Sequence, residues 1–437
     1  MGRILFAGAW IMGLDPERPD CFNGDLLVED ERIVEISEEA GKIERRKTDR
    51  VIDGADLLLM PGMINTHGHA AMTLLRGYAD DLPLQKWLEE KIWPAEEKLT
   101  GDDIYWGTLL AICEMLKGGT TTFADMYFFM DRAAEACVEG KIRAVLSRGL
   151  VGLNDGSNEA LQEASALQSE WHGGGDGRIT VTYGPHSLYT CRPEYLRRVM
   201  EEAAKTESAL QIHVAETAQE VETCWHDYGS TPVEHLYRLG LFEHRVIAAH
   251  CVHISASDIV ILGSNKVGVA HNPGSNLKLG SGIAPLAHLL EAGVTVGLGT
   301  DGAASNNNLD LLEEMRLAAL LAKGNDCEPT LLPAKKALEL ATVDGAAVLG
   351  LPEIGQLKEG FKADLIAFSL KEPQAAPLFE PAAYVVYAAA AADILYVLVD
   401  GEPVVEEGRL TKLDEEKIIS ECLRRAERIT GKSNYRT

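Results

Sequence analysis

Two histidines one residue apart, His67 and His69, end a run that begins with apolar residues 57–60 and continues Pro61-Gly62-Met63-Ile64-Asn65-Thr66. On a strand, residues i and i+2 face the same side, so both imidazoles converge on one point. Neutral imidazole is the commonest protein metal ligand, and such a pair on a rigid strand end makes half of a catalytic metal site. Three more β-type runs end in polar, metal-competent side chains. Residues 210–214 carry His213, with Glu216 three residues on; 246–249 lead into His250; 294–299 lead into Thr300-Asp301. A chance His-Gly-His in a loop would lack these matching ends. Apolar interior runs with chemistry at their C-terminal ends are the signature of a parallel barrel.

The elements that must hold these ends follow from the hydrophobic rhythm. Strand candidates fall at 60–65, 120–125, 144–150, 179–183, 209–213, 246–250, 267–270 and 294–299. Helical stretches at 102–117, 193–206 and 309–323 lie between or after them. This alternation marks a parallel sheet. Residues 414–429 have an amphipathic helical pattern, and 382–392 fit helix and loop equally. Short β-runs occur at both ends, including a hairpin pattern over 24–36 and further runs at 51–54, 354–368 and 394–405. Neither set closes a core alone, so the termini are expected to meet. The expected architecture is α/β, a distorted (β/α)8 TIM barrel with a small flanking β-sandwich domain built from both chain termini. Residues 1–58 plus 353–412 form the small β-domain, 59–352 the barrel, and 413–437 a C-terminal helix and tail.

Composition narrows the partners. The 437 residues carry 41 basic against 67 acidic side chains, a net charge of −26. A nucleic-acid or anionic-membrane surface needs a positive field, so both partners are excluded. No apolar stretch approaches the ~18 residues of a membrane span. The N-terminus Met1-Gly2-Arg3-Ile4-Leu5-Phe6 does not read as a signal peptide. Eight cysteines are scattered without a CxxC pair, which suits reduced thiols and a cytoplasmic protein.

With these residues in hand, the chain resembles the amidohydrolase superfamily, specifically the 5′-methylthioadenosine/S-adenosylhomocysteine deaminase family. The matching motifs are Pro61-Gly62-Met63-Ile64-Asn65-Thr66-His67-Gly68-His69, His213-Val214-Ala215-Glu216-Thr217, His271-Asn272-Pro273-Gly274-Ser275-Asn276-Leu277-Lys278-Leu279 and Gly299-Thr300-Asp301-Gly302. The resemblance implies one divalent metal per subunit, usually Zn2+ with Fe2+, Mn2+ or Co2+ as alternatives, held by His67, His69, His213 and Asp301. Three imidazoles and a carboxylate suit zinc on their own chemistry. A metal lowers the pKa of bound water to about 7, and the implied reaction is attack of that hydroxide on C6 of an adenine ring. Glu216 would shuttle the proton, against a plain surface glutamate. His250 would hydrogen-bond the hydroxide or assist Asp301, with a structural histidine as the alternative. Strand four, 179–186, has no lysine, and the family's two-metal relatives usually carry a carbamylated one there.

The family pattern also implies substrate contacts: Glu96 on the ribose hydroxyls, His186 on the purine, and Glu216 and Asp301 at the reacting end. Arg148 matches an arginine facing the carboxylate of S-adenosylhomocysteine, with a plain salt bridge as its rival. Trp87 either walls the pocket or belongs to the core. The stretch 154–166 contains no arginine, where some relatives have a second one. The function expected is deamination of 5′-methylthioadenosine, S-adenosylhomocysteine, 5′-deoxyadenosine or adenosine to the inosine analogue plus ammonia. The alternatives are a guanine or triazine deaminase or chlorohydrolase, and a non-catalytic barrel. The partner is a small-molecule nucleoside, and homo-oligomerisation is left open.

Overall fold

The computed structural model describes residues 2–47, 49–152 and 157–433. Eight parallel strands follow one another: β1 (Met63–Asn65), β2 (Thr120–Tyr127), β3 (Arg143–Leu150), β4 (Ile179–Pro185), β5 (Leu210–Val214), β6 (Val246–His250), β7 (Gly268–His271) and β8 (Val296–Leu298). Each pairs with the next in sequence. Every residue of β2, β5, β6 and β7 is buried, as expected of parallel strands covered on both faces. The ring closes where Thr66 N and Oγ1 both donate to the Leu298 carbonyl, at 2.8 and 2.9 Å. It is distorted between β4 and β5, which share one register pair, Leu210 with Tyr183. Farther along, His213 N donates to the His186 carbonyl at 3.0 Å.

Helices Gly101–Lys117, Pro193–Lys205, Leu311–Asp326 and Glu415–Thr430 occupy the four stretches with a helical pattern. The first begins at Thr100, whose hydroxyl accepts from Asp103 N while the Asp103 carboxylate accepts from Thr100 N; this reciprocal cap satisfies two orphan donors. Residues 382–392 divide between a helix, Pro381–Tyr387, and a 3-10 turn, Ala391–Asp393.

A second, mixed sheet of nine strands draws on both ends of the chain. The two halves meet where Leu57–Pro61 pairs antiparallel with Leu365–Ser369. Phe6, Leu26, Leu59 and Leu365 pack in its core. The run read as one strand over 60–65 is divided: Met60 and Pro61 belong to this sheet and Met63–Asn65 to the barrel. Gly62 stands between the two, where a Cβ would lie 2.2 Å from Thr121 Oγ1. Among the described residues no helix is long and apolar enough to cross a membrane.

Candidate active site

The C-terminal strand ends bring the sequence's candidate ligands together. His67 and His69 follow β1, His213 lies on β5, and Asp301 follows β8. Ring centroids are 5.0 Å apart for His67 and His69, 4.8 Å for His67 and His213, and 5.4 Å for His69 and His213. Asp301 Oδ1 stands 3.5 Å from His67 Nε2 and 3.2 Å from His69 Nε2. Backbone carbonyls fix two of the rings. The Nδ1 hydrogen of His69 goes to Met126 O at 2.6 Å, and that of His213 to His186 O at 2.7 Å. A carbonyl only accepts, so both Nε2 atoms are left as lone-pair donors facing each other at 3.4 Å. His67 Nε2 is buried and has no hydrogen-bond partner. A buried orphan nitrogen among other donors fits a divalent cation, which would satisfy it; among the described residues His67, His69 and His213 form one metal-competent group and His67, His250 and Asp301 another, with His67 common to both.

Asp301 is anchored from behind. Its Oδ2 accepts from Ser275 Oγ at 2.6 Å and from Ser305 Oγ at 2.8 Å. Burial opposes its charge, yet the imidazoles of His67 and His69 outweigh that and hold it well below the carboxylate range. His250 ends β6, and its Nδ1 hydrogen goes to Asn276 Oδ1 at 2.8 Å. One of its ring nitrogens lies within 4.8 Å of donor atoms on His67 and Asp301. Glu216 is buried, and burial pushes its carboxyl upward, with His250 opposing and Asp301 adding to the shift. Its backbone is braced: Glu220 Oε1 accepts from Ala215 N at 3.0 Å and Oε2 from Glu216 N at 2.9 Å.

These groups open onto a cavity of about 380 Å³ that is lined by His69, His186, His213, Glu216, His250 and Asp301. Trp87 and Glu96 line it too. They sit on a helical stretch, Leu84–Trp87, Leu88–Ile92 and Trp93–Glu96, whose middle turn is a π-helix. Trp87 is buried, and Glu96 Oε1 accepts from Tyr127 Oη at 2.6 Å. The ring of His186 is held by Ser187 and Thr190, whose hydroxyls lie 3.1 and 3.0 Å from Nδ1. Arg148 is not brought to this cavity. Its Nε pairs with Glu163 at 2.7 Å, its guanidinium covers the Phe128 ring at 5.1 Å, and it lines a neighbouring cavity with Glu163 and Glu170. Residues 154–156, which open the arginine-free stretch 154–166, lie outside the described residues.

The amidohydrolase family model matches residues 58–404, most of the chain. The chain belongs to the amidohydrolase family. A 5-methylthioadenosine/S-adenosylhomocysteine deaminase of Pelotomaculum thermopropionicum is 49% identical over 99% of this chain and 100% of that protein. A 5′-deoxyadenosine deaminase of Methanosarcina acetivorans is 47% identical, covering 99% and 100%. An adenosine deaminase from Xanthomonas campestris, solved with bound zinc, superposes with a TM-score of 0.94 at 33% identity, covering 98% and 99%. In this amidohydrolase, sequence reasoning did not single out Tyr127, Asn276, Ser275, Ser305 or Glu220. Ser275 and Asn276 stood inside a quoted motif without a role. Tyr127 ends an apolar strand like any core tyrosine, and no spacing rule marks it.

Proposed function

We propose that the chain is a metal-dependent deaminase of adenine nucleosides with a small uncharged group at the 5′ carbon. The product is the inosine analogue, with ammonia leaving. One observation carries the reading. The cavity holding the metal-competent cluster and Glu216 also contains Glu96, a carboxylate suited to a ribose diol. A free heterocycle has no vicinal diol to give that group. The close identity to relatives named for 5-methylthioadenosine and 5′-deoxyadenosine supports the same class.

His67, His69, His213 and Asp301 would hold one divalent cation, with zinc favoured by the donor set and by the zinc in the adenosine deaminase neighbour. A cation held there supplies Lewis acidity and lowers the pKa of water to about 7. Asp301, fixed by its two serines, and His250, fixed by Asn276, orient the attacking water toward C6. Glu216, as the carboxylate, takes a first proton from that water and gives it to N1 as C6–O forms; the second proton, from the resulting C6 hydroxyl, then goes to the amine, and the C6–N bond breaks with ammonia leaving. Burial favours its protonated form, the state needed to donate. His186 meets the purine. Leu84, Trp87, Leu88 and Trp93 offer an apolar wall to the 5′ group. With Arg148 occupied by Glu163 outside this cavity, an amino-acid carboxylate finds no cation among the lining residues. The chemistry belongs to residues 59–352, less the strand end 59–61 that the flanking sheet takes, with 1–58 and 353–412 as the rest of the flanking β-domain and 413–437 as a C-terminal helix and tail.

Ammonia release from a panel of 5′-methylthioadenosine, 5′-deoxyadenosine, adenosine, S-adenosylhomocysteine and guanine, with chloride release from a chlorotriazine, tests the reading. The expected order places the uncharged 5′-substituted nucleosides above S-adenosylhomocysteine in kcat/KM. Turnover confined to guanine or the triazine would overturn it.

A further inference from the structure

The proposal that Glu96 takes the ribose leaves one question open in physical terms: what holds that carboxylate in place. Glu96 ends a short, interrupted helical stretch whose π-turn, Leu88–Ile92, changes the facing of the last turn. Such π-turns are often found at functional sites. The stretch lies over the barrel rather than within it, so its own hydrogen bonds do not fix Glu96 against the metal-competent cluster. Tyr127 does. It is the last residue of β2, is 4% exposed, and donates its hydroxyl to Glu96 Oε1 at 2.6 Å.

The preceding residue acts on the other end of the cavity. Met126 turns its carbonyl to His69 Nδ1 at 2.6 Å and so orients one candidate metal ligand. Tyr127 and His69 rings are 6.1 Å apart. Two consecutive residues at one strand end therefore fix both the reacting end of the cavity, through His69, and its Glu96 end. A carboxylate oxygen accepts more than one hydrogen bond. Oε1 can take the Tyr127 hydroxyl and a ribose hydroxyl together, leaving Oε2 for the second ribose hydroxyl. Burial raises the Glu96 pKa, and the Tyr127 hydrogen bond is the larger of the two contacts that oppose that rise, ahead of His69.

We propose that Tyr127 is a positioning residue for sugar recognition, setting through Glu96 how strongly the enzyme prefers a 2′,3′-diol. This rests on the proposed nucleoside deamination. The test compares adenosine with 2′,3′-dideoxyadenosine, read as the ratio of their kcat/KM values, in wild type, Tyr127→Phe, Glu96→Ala and the double variant. Tyr127→Phe removes one oxygen and leaves the ring in place, so the fold is kept. The ratio should fall at least about fivefold in Tyr127→Phe, mainly through KM for adenosine, on the scale of a lost charge-assisted hydrogen bond. In the double variant it should fall no lower than in Glu96→Ala alone, since a residue acting through another adds nothing once that other is gone. If Glu96→Ala collapses the ratio but Tyr127→Phe leaves it intact, or if the double variant falls below Glu96→Ala, the positioning role is overturned and the nucleoside reading stands. If Glu96→Ala leaves the wild-type ratio unchanged, the ribose role of Glu96 falls and takes that of Tyr127 with it.

Discussion

Asp301 turns one oxygen to two imidazoles and gives the other to two serine hydroxyls. Its acceptor capacity is thus largely spent on holding position, which leaves proton traffic to another carboxylate. Glu216 is a buried acid lining the same cavity, and its carboxylate makes no side-chain hydrogen bond among the described residues. Glu216→Gln keeps size and removes the transferable proton. It should lower kcat by roughly 10²–10⁴-fold while metal content, measured by elemental analysis, stays at the wild-type level. A variant with normal metal and most of its rate would move the shuttle elsewhere. At this scale the sequence was most legible where a polar residue ends an apolar run. His67, His69, His213, His250 and Asp301 all announce themselves that way. The partners that orient them do not: Met126 and His186 act through backbone carbonyls, which every residue type carries, and Asn276 reaches His250 across 26 positions. Arg148 could be read as a carboxylate contact or as a salt bridge, and only the fold supplies Glu163 as its partner.

The strand ends themselves are strained in a consistent way. Ala215, His250 and Asp301, each at or just past a barrel strand, adopt left-handed φ values of 51°, 72° and 59°. Such conformations cost non-glycine residues of order 1–3 kcal/mol and are kept where surrounding structure over-determines them. His250 and Asp301 line the cavity, and Ala215 leads directly into Glu216, which lines it too. The ends are also packed backbone to backbone. A Cβ on Gly299 would lie 2.3 Å from Asn272 Oδ1 and 3.0 Å from the backbone of His67, so this glycine is required by contact. Wild-type protein should hold close to one divalent metal per chain, while Gly299→Ala should push the ends of β1 and β8 apart and lose metal with activity in proportion. Elemental analysis beside the rate checks both; two metals per active chain, or full occupancy in the variant, would contradict the geometry. Eight strands were readable because each is a run of the right length built from β-branched, aromatic or apolar residues. The division at Gly62 was not, since both sides of it are equally apolar and only the fold brings Thr121 close enough to exclude a Cβ there. The helical stretch over 84–96 was not either, because its π-turn breaks the period on which helix reading depends.

Across the whole molecule, the barrel and the flanking sheet are fastened by charge as well as by apolar contact. Arg143, the first residue of β3, is buried and pairs with Asp364 at 2.9 Å and with Asp400 at 2.6 Å. Arg178, just before β4, and Lys362 stand 3.5 and 3.6 Å from Asp400. Burial would lower the Arg143 pKa, but the two carboxylates raise it well above the ordinary value, so the group stays charged. This network sits at the N-terminal ends of the strands, opposite the catalytic face, where a barrel keeps its stabilising contacts. Removing one partner of a buried ion pair leaves the others uncompensated and costs roughly 3–5 kcal/mol. Arg143→Met should therefore lower the urea midpoint of unfolding strongly. The kcat of the folded fraction at room temperature should stay within about twofold, because no atom of the network reaches the cavity and distant, independent effects separate. An activity loss that tracks metal loss at an unchanged midpoint would mean instead that the two sheets communicate with the site.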